Sequence, residues 1–174
     1  MPELKDIPDD VKWRCAAQCA ASLPAMYDAA FRKVVGKQYD ELEQELWIAL
    51  SHMVRNIVQD LALPVRNASE LATSMQIVLT ILFGPDYRTE TFEVSDHGAV
   101  ILIKRCPFLT HGDIAAAAPQ GFFSRCMALT LPTIPLLNKN YTARYVRTMC
   151  TGDRHCEIKI EVKKQDAEKK TAKD

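Results

Sequence analysis

The stretch YTARYVRTMCTGDRHCEIKIEV, Tyr141 to Val162, decides the fold of this chain. Two β-prone runs, Tyr141 to Cys150 and His155 to Val162, flank a turn that contains Gly152 and Asp153. Because successive side chains of a strand point to opposite faces, an alternating run predicts one buried face and one wet face. The second run alternates charged residues with the apolar residues Cys156, Ile158, Ile160 and Val162.

Three helices are predicted before any strand. The first covers residues 9–34 and is rich in alanine. The second opens at Asp40 and repeats apolar residues every three or four positions as far as Pro64. The third lies between Asn67 and Gly84. Asp40 and Asn67 each stand three residues before a glutamate, which is the signature of a capping box.

A hairpin and a fourth helix are predicted between these helices and the last hairpin. The hairpin strands are Thr89 to Val94 and Ala99 to Lys104. The helix is expected from about Asp113 through Leu129, and Pro132 and Pro135 are expected to end it. The order therefore predicts an α+β fold in which N-terminal helices pack on a four-stranded antiparallel sheet.

Composition places the chain in a broad class. With 174 residues and 48% hydrophobic residues, we expect a single domain over residues 1–162 and a disordered charged tail over 163–174. Lys and Arg total 22 and match the 22 Asp and Glu, so no excess of positive charge indicates nucleic-acid binding. No apolar window suits a membrane span or a signal peptide, and we expect a cytoplasmic protein.

The cysteines are the main functional clue. In a reducing compartment, thiols serve metal binding, redox chemistry or plain core packing. The turn brings Cys150 and Cys156 together, and Cys106 and Cys126 end elements that can reach the same end of the sheet. Four thiolates suit zinc or an iron-sulfur cluster, although the spacing lacks close CxxC pairs. Buried thiols that act as small apolar groups, or a reversible disulfide between the two hairpin cysteines, stay open as alternatives.

Other residues are candidates for a ligand cavity between the helices and the sheet. They are Trp47, His52, Phe122, Phe123 and Tyr145, and core packing is the competing interpretation for the aromatic ones. On the first helix, Cys15 and Cys19 stand four residues apart, which favours packing. The sequence carries no phosphate loop, HExxH or GxSxG motif, so the catalytic residues stay undefined.

The segment NYTARYVRTMCTGDRHCEIKI, Asn140 to Ile160, resembles the end of the 4-vinyl-reductase domain family, and the element order over residues 36–162 is similar. That resemblance implies helices around paired hairpins, a fold shared with vesicle-tethering subunits that hold an acyl chain. It also implies a small aromatic or hydrocarbon ligand.

In sensor members of that family, a zinc ion is held by a helix cysteine, an acidic residue and two hairpin cysteines. Cys126, Cys150 and Cys156 fall on three of these positions. The acidic position is Arg147 here, so Cys106 is the candidate replacement, and an iron-sulfur cluster or a redox switch is the alternative.

The element Arg105-Cys106-Pro107 is also similar to the group of L-2-amino-thiazoline-4-carboxylate hydrolases. We therefore expect a binding domain for an apolar or aromatic small molecule, with a cysteine-bound metal, that acts as a sensor or ligand carrier. A metal-dependent hydrolase or reductase, or a thiol redox switch, is the alternative. We expect the effect of ligand binding to be passed on through a homodimer or a separate protein.

Overall fold

The computed structural model describes residues 3–95, 97–110 and 119–163. Helices come first and the strands follow in two pairs. The elements are α1 (Asp9–Val35), α2 (Gln38–Asp60), α3 (Ala68–Phe83), β1 (Arg88–Ser95), β2 (Gly98–Arg105), the short α4 (Pro107–Thr110), α5 (Pro119–Leu137), β3 (Tyr141–Arg147) and β4 (Cys156–Val162). This order confirms the predicted α+β class.

The four strands form one antiparallel sheet in the order β1-β2-β4-β3. Ile101 of β2 stands opposite Ile158 of β4, and Ala143 of β3 stands opposite Ile160. All four of these side chains are buried, and α3 and α5 cover this face of the sheet. The alternation read in the last strand therefore builds the main core.

The third helix begins where the sequence predicts it. The Asn67 side chain accepts a hydrogen bond of 2.8 Å from the backbone N–H of Glu70. The helix ends at Gly84, whose φ of +86° favours glycine. A Cβ added at Gly84 would lie 2.4 Å from the Cβ of Ala17, so α1 docks directly on this glycine.

The predicted capping box of the second helix does not form. The helix begins at Gln38, before Asp40. The Asp40 carboxylate instead accepts a hydrogen bond of 2.7 Å from Arg32 of α1, and the Glu43 carboxylate accepts one of 3.1 Å from the Tyr39 hydroxyl. The prediction was wrong because both carboxylates bind partners that the local sequence pattern does not reveal.

The prolines expected to end the fourth predicted helix lie inside α5. The helix continues through Pro132 and Pro135, although each lacks an N–H for the helical ladder. The hydroxyl of Thr133 donates to the carbonyl of Leu129 over 2.6 Å. Thr133 and Ile134 are fully buried, so tertiary packing holds the helix past the prolines. The part of this prediction over residues 113–118 lies outside the described residues.

A buried cation joins three helices. Arg125 of α5 is 3% exposed, and its Nη2 lies 2.9 Å from Oδ2 of Asp28 on α1. Its Nε lies 2.9 Å from Oε1 of Glu43 on α2, and its guanidinium stacks over the ring of Phe122. Both carboxylates are mostly buried, so this group fixes how α1, α2 and α5 meet.

None of the helices in the described ranges combines the length and hydropathy needed to cross a bilayer. The predicted charged tail, from residue 164 onward, lies outside the described residues.

Candidate functional site

A cavity opens at the end of the sheet where the helices, the strands and the last turn meet. The part of it that the centre of a water-sized sphere can occupy is about 30 Å³, so an occupant larger than a few water molecules has to displace lining side chains. The lining is mostly apolar, as in small-molecule sites of other proteins. The cavity is lined by Trp47, Leu79, Phe83, Tyr87, Ile103, Cys106, Phe108, Leu109, Cys126, Leu129, Thr130, Tyr145, Thr148, Cys150 and Cys156.

Aromatic rings form one wall of the cavity. Phe108 meets Phe83 at a ring-centroid distance of 4.9 Å and Trp47 at 6.0 Å, both edge to face. Phe83 also meets Tyr87 edge to face at 5.5 Å. Such packing gives the wall a defined shape, because edge-to-face pairs are favoured over other arrangements.

The lining of the cavity also carries neutral polar groups. The hydroxyls of Thr130 and Tyr145 lie 3.1 Å apart and share a hydrogen bond. The Thr148 hydroxyl accepts a hydrogen bond of 3.2 Å from the N–H of Cys150. Tyr87 is 6% exposed, and its hydroxyl makes no hydrogen bond to the described residues. Burial raises the pKa of Tyr87 and of Tyr145 well above the usual value, so both phenols stay neutral.

The last turn positions two of the lining cysteines. Residues Met149–Thr151 form one turn of 3₁₀ helix after β3, so Cys150 lies on this turn and not on a strand. The carboxylate of Asp153 accepts a hydrogen bond of 2.9 Å from the N–H of Thr148, which closes the turn. The N–H of Met149 donates to the sulfur of Cys156 over 3.3 Å.

All four cysteines of the predicted metal site line this cavity, from β4, α5, the last turn and the end of β2. The surroundings of three of them favour neutral thiols. Burial raises the pKa of Cys106 to about 12, raises that of Cys126 well above its usual value, and raises that of Cys150.

The prediction of a metal centre is wrong. Among the described residues, no group of three or more His, Cys, Asp or Glu side chains is arranged to hold a metal ion. The zinc and iron-sulfur assignments for Cys106, Cys126, Cys150 and Cys156 fall with it. The physical reason is geometric: the sulfurs come from separate elements and line the cavity without three of them meeting at one point, so they pack as small apolar groups.

The other predicted site residues have mixed locations. Trp47 and Tyr145 line the cavity. Phe122 lies behind the aromatic wall, where it stacks with Phe108 at 6.1 Å, and Phe123 meets the ring of Tyr145 edge to face at 5.4 Å. His52 is exposed on α2, and it does not belong to the lining.

Sequence reasoning missed several lining residues, above all Tyr87 and Thr148. Tyr87 follows Gly84-Pro85 in the connection between α3 and β1, and connections of this kind often carry binding residues. The location of Tyr87 in this connection was the feature of the sequence that could have indicated its role. Cys15 and Cys19 are exposed on α1 and belong to no site that the structure describes.

Comparison with known proteins identifies the fold but no family. No family model matches the chain, and no curated protein matches it. A solved structure of a trafficking protein particle complex subunit 3 from Naegleria fowleri, covalently bound to palmitic acid, is similar with a TM-score of 0.52. The match has 13% sequence identity and covers 90% of this chain and 98% of that one. At this identity it shows a shared fold alone.

This comparison corrects the assignment to 4-vinyl-reductase domains. The similar structure is a trafficking-complex subunit, and no family model supports a 4-vinyl-reductase domain. The resemblance also implied a fold of helices around paired hairpins that vesicle-tethering subunits share. The structural match agrees with that expected fold. The pattern of two cysteines around a turn is too short to distinguish families that share it.

Proposed function

We propose that this protein binds an apolar small molecule in the cavity and acts as its carrier or sensor. The observation that supports the proposal is the lining itself, which joins aromatic and aliphatic side chains to neutral thiols and hydroxyls. Binding there removes apolar ligand surface from water at about 25 cal/mol per Å². The cavity also lies between the helices and the sheet, so an occupant would contact most elements of the fold.

The structural match supports the same proposal. The similar trafficking subunit is described with palmitic acid bound. An acyl chain is a slim apolar ligand, and the apolar lining of the cavity suits part of such a chain. We also keep a cytoplasmic location as a proposal, which rests on the cysteine content.

Two measurements test ligand binding. Native mass spectrometry of protein purified from its host should show an added mass that organic extraction removes. Trp47 lines the cavity, and the other tryptophan, Trp13, is exposed, so Trp13→Phe leaves one fluorophore at the site. Titration with methyl decanoate should then change the emission of Trp47. Leu129→Trp, which fills the cavity, should abolish the added mass. Absence of any added mass and of any titration signal would refute the proposal.

We also propose that a second copy of this chain covers α1. The buried residues of α1 are three alanines, Ala17, Ala21 and Ala25. Its exposed apolar residues instead follow the spacing of three and four that is typical of helix pairs: Trp13, Ala16, Ala20, Leu23, Tyr27, Ala30 and Val34. With the half-exposed Met26 and Phe31 beside them, these residues form a continuous apolar face.

The size and charge of this face fit a second copy. A standard interface buries ~800 Å² on each partner, and the exposed side chains of this face, with Val34 84% and Tyr27 51% exposed, are placed to supply part of that area. None of the seven positions is charged, so two copies can pack these faces without burying an ion. Because α1 contacts α3 and α4 beside the cavity, a ligand bound there can change the position of α1 and so the self-association of the chain.

Sedimentation of the purified chain tests this second proposal. Tyr27→Glu places a charge in the middle of the α1 face and should convert a dimer to a monomer. Val94→Glu is the matched control, because Val94 is 59% exposed on β1 and lies outside the α1 face. A wild-type chain that sediments as a monomer at high concentration, or equal effects of the two substitutions, would contradict it.

A further inference from the structure

The cavity contains a polar group that is ready for a partner. Tyr87 is 6% exposed and lines the cavity, and its hydroxyl has no hydrogen-bond partner within the described ranges. The hydroxyl is not among the fully buried polar atoms that lack a partner, so it reaches the open part of the cavity, where a phenol normally takes a hydrogen-bond partner. A ligand atom in the cavity can therefore supply what the protein does not.

A second hydroxyl in the lining already has partners. The Thr148 oxygen accepts from the N–H of Cys150 at 3.2 Å and from the thiol of Cys156 at 3.8 Å. The Thr148 side chain also hydrogen-bonds the sulfur of Cys150, which partly opposes the rise that burial gives the pKa of that thiol. The Tyr87 hydroxyl therefore remains the candidate donor to a ligand oxygen that accepts a hydrogen bond.

The lining offers no compensation for ionic charge. Of the residues that the structure describes, none that lines the cavity is Lys, Arg, His, Asp or Glu. Burial, together with the neighbouring Cys106, Cys126 and Cys156 thiols, keeps the pKa of Tyr87 high, so the site disfavours negative charge. A carboxylate or an ammonium group placed here loses its hydration without gaining a counter-ion.

We infer that the cavity selects apolar molecules that end in an uncharged hydrogen-bond acceptor, such as an ester or ketone carbonyl, and that the Tyr87 hydroxyl donates to this acceptor. This inference rests on the proposed ligand binding and specifies its chemical class. The uncharged lining sets the selectivity against ions, Tyr87 supplies the donor, and the aromatic wall takes the hydrocarbon part. Free acids and amines of the same chain length are rejected.

The test compares methyl decanoate with decanoate at pH 7.5, using the full-length Trp13→Phe chain and the emission of Trp47. The two ligands share a chain and both oxygens, and they differ in charge. We expect the ester to bind at least about 100-fold more tightly, because the acid must bury an uncompensated charge. Decylammonium should bind as weakly as the acid does.

Tyr87→Phe removes the donor and keeps the ring. It should weaken ester binding about 5- to 10-fold. Tyr141→Phe is the matched control, since Tyr141 is buried on β3 but does not line the cavity, and it should leave both affinities unchanged.

The possible outcomes distinguish a failure of the inferred ligand class from a failure of ligand binding itself. If the acid binds as tightly as the ester, the selectivity is refuted while ligand binding stands. If Tyr87→Phe and Tyr141→Phe behave alike, the donor role of Tyr87 is refuted while ligand binding stands. If no ligand of the series binds, ligand binding itself fails. The ester and acid comparison uses native lining residues throughout, so it remains decisive even if a variant folds poorly.

Discussion

Replacing Gly84 by alanine should destabilise the fold strongly, for two separable reasons. Gly84 has φ +86° and ψ 176°, a region that is essentially restricted to glycine, and a side chain there costs about 1–3 kcal/mol. The new Cβ would also lie 2.4 Å from the Cβ of Ala17, far inside the usual carbon contact distance of about 3.5–4.0 Å. Relief of such overpacking costs a further ~1–3 kcal/mol, so we expect a total loss of about 4 kcal/mol in the free energy of unfolding.

Two variants separate backbone strain from the clash in urea denaturation. Gly36 also has positive φ, but a Cβ there meets nothing within 4 Å, so Gly36→Ala reports strain alone. Ala17→Gly removes the clashing atom and leaves the Ala17 Cα 3.9 Å from the new Cβ, which is ordinary contact. Ala17→Gly should therefore recover at least about 1 kcal/mol of the loss caused by Gly84→Ala, beyond its own cost of ~1 kcal/mol as a helix glycine. Equal losses for Gly84→Ala and Gly36→Ala, or additive double-mutant energies, would refute this reasoning.

Three further predictions concern charge and thiols. Arg125→Met leaves Asp28 and Glu43 mostly buried without their shared cation, so unfolding in urea should show a loss of about 3–5 kcal/mol; an unchanged midpoint would contradict this. The hydrogen bond from Lys159 lowers the pKa of Glu161 in the folded state. The ionised Glu161 carboxylate therefore stabilises the fold fully above its unfolded-state pKa, about 4.3. This stabilisation is lost as the pH falls through the lower pKa of the folded state. Glu161→Gln should therefore flatten the acid limb of the stability profile, and a limb as steep as in wild type would count against the pairing. Iodoacetamide at pH 7.4 should label the two exposed α1 cysteines quickly and the four cavity cysteines slowly, as followed by mass spectrometry. Rapid labelling of all six would contradict the conclusion that the cavity thiols are shielded.

Much of the candidate site could be expected from the hairpin, but its chemistry could not. The spacing of Cys150 and Cys156 around a turn indicated two sulfurs at one end of the sheet, and Cys106 and Cys126 do line the same cavity. What the sequence did not reveal is the environment of these sulfurs. Burial among aromatic and aliphatic groups raises the pKa of Cys106, Cys126 and Cys150, and part of that environment comes from α2, α3 and α4, which lie outside the cysteine segments.

Local patterns by themselves determined the elements of this protein, because the interactions that encode them span only a few residues. The alternation in β4, the cap at Asn67 and the glycine stop at Gly84 all belong to that class. Only the tertiary structure decided the rest: the continuation of α5 past Pro132, the recruitment of Asp40 by Arg32 across the first helical connection, and the placement of Tyr87 against sulfurs far along the chain. Those outcomes depend on burial and on partners that are distant in sequence, and no short pattern in a single chain records either one.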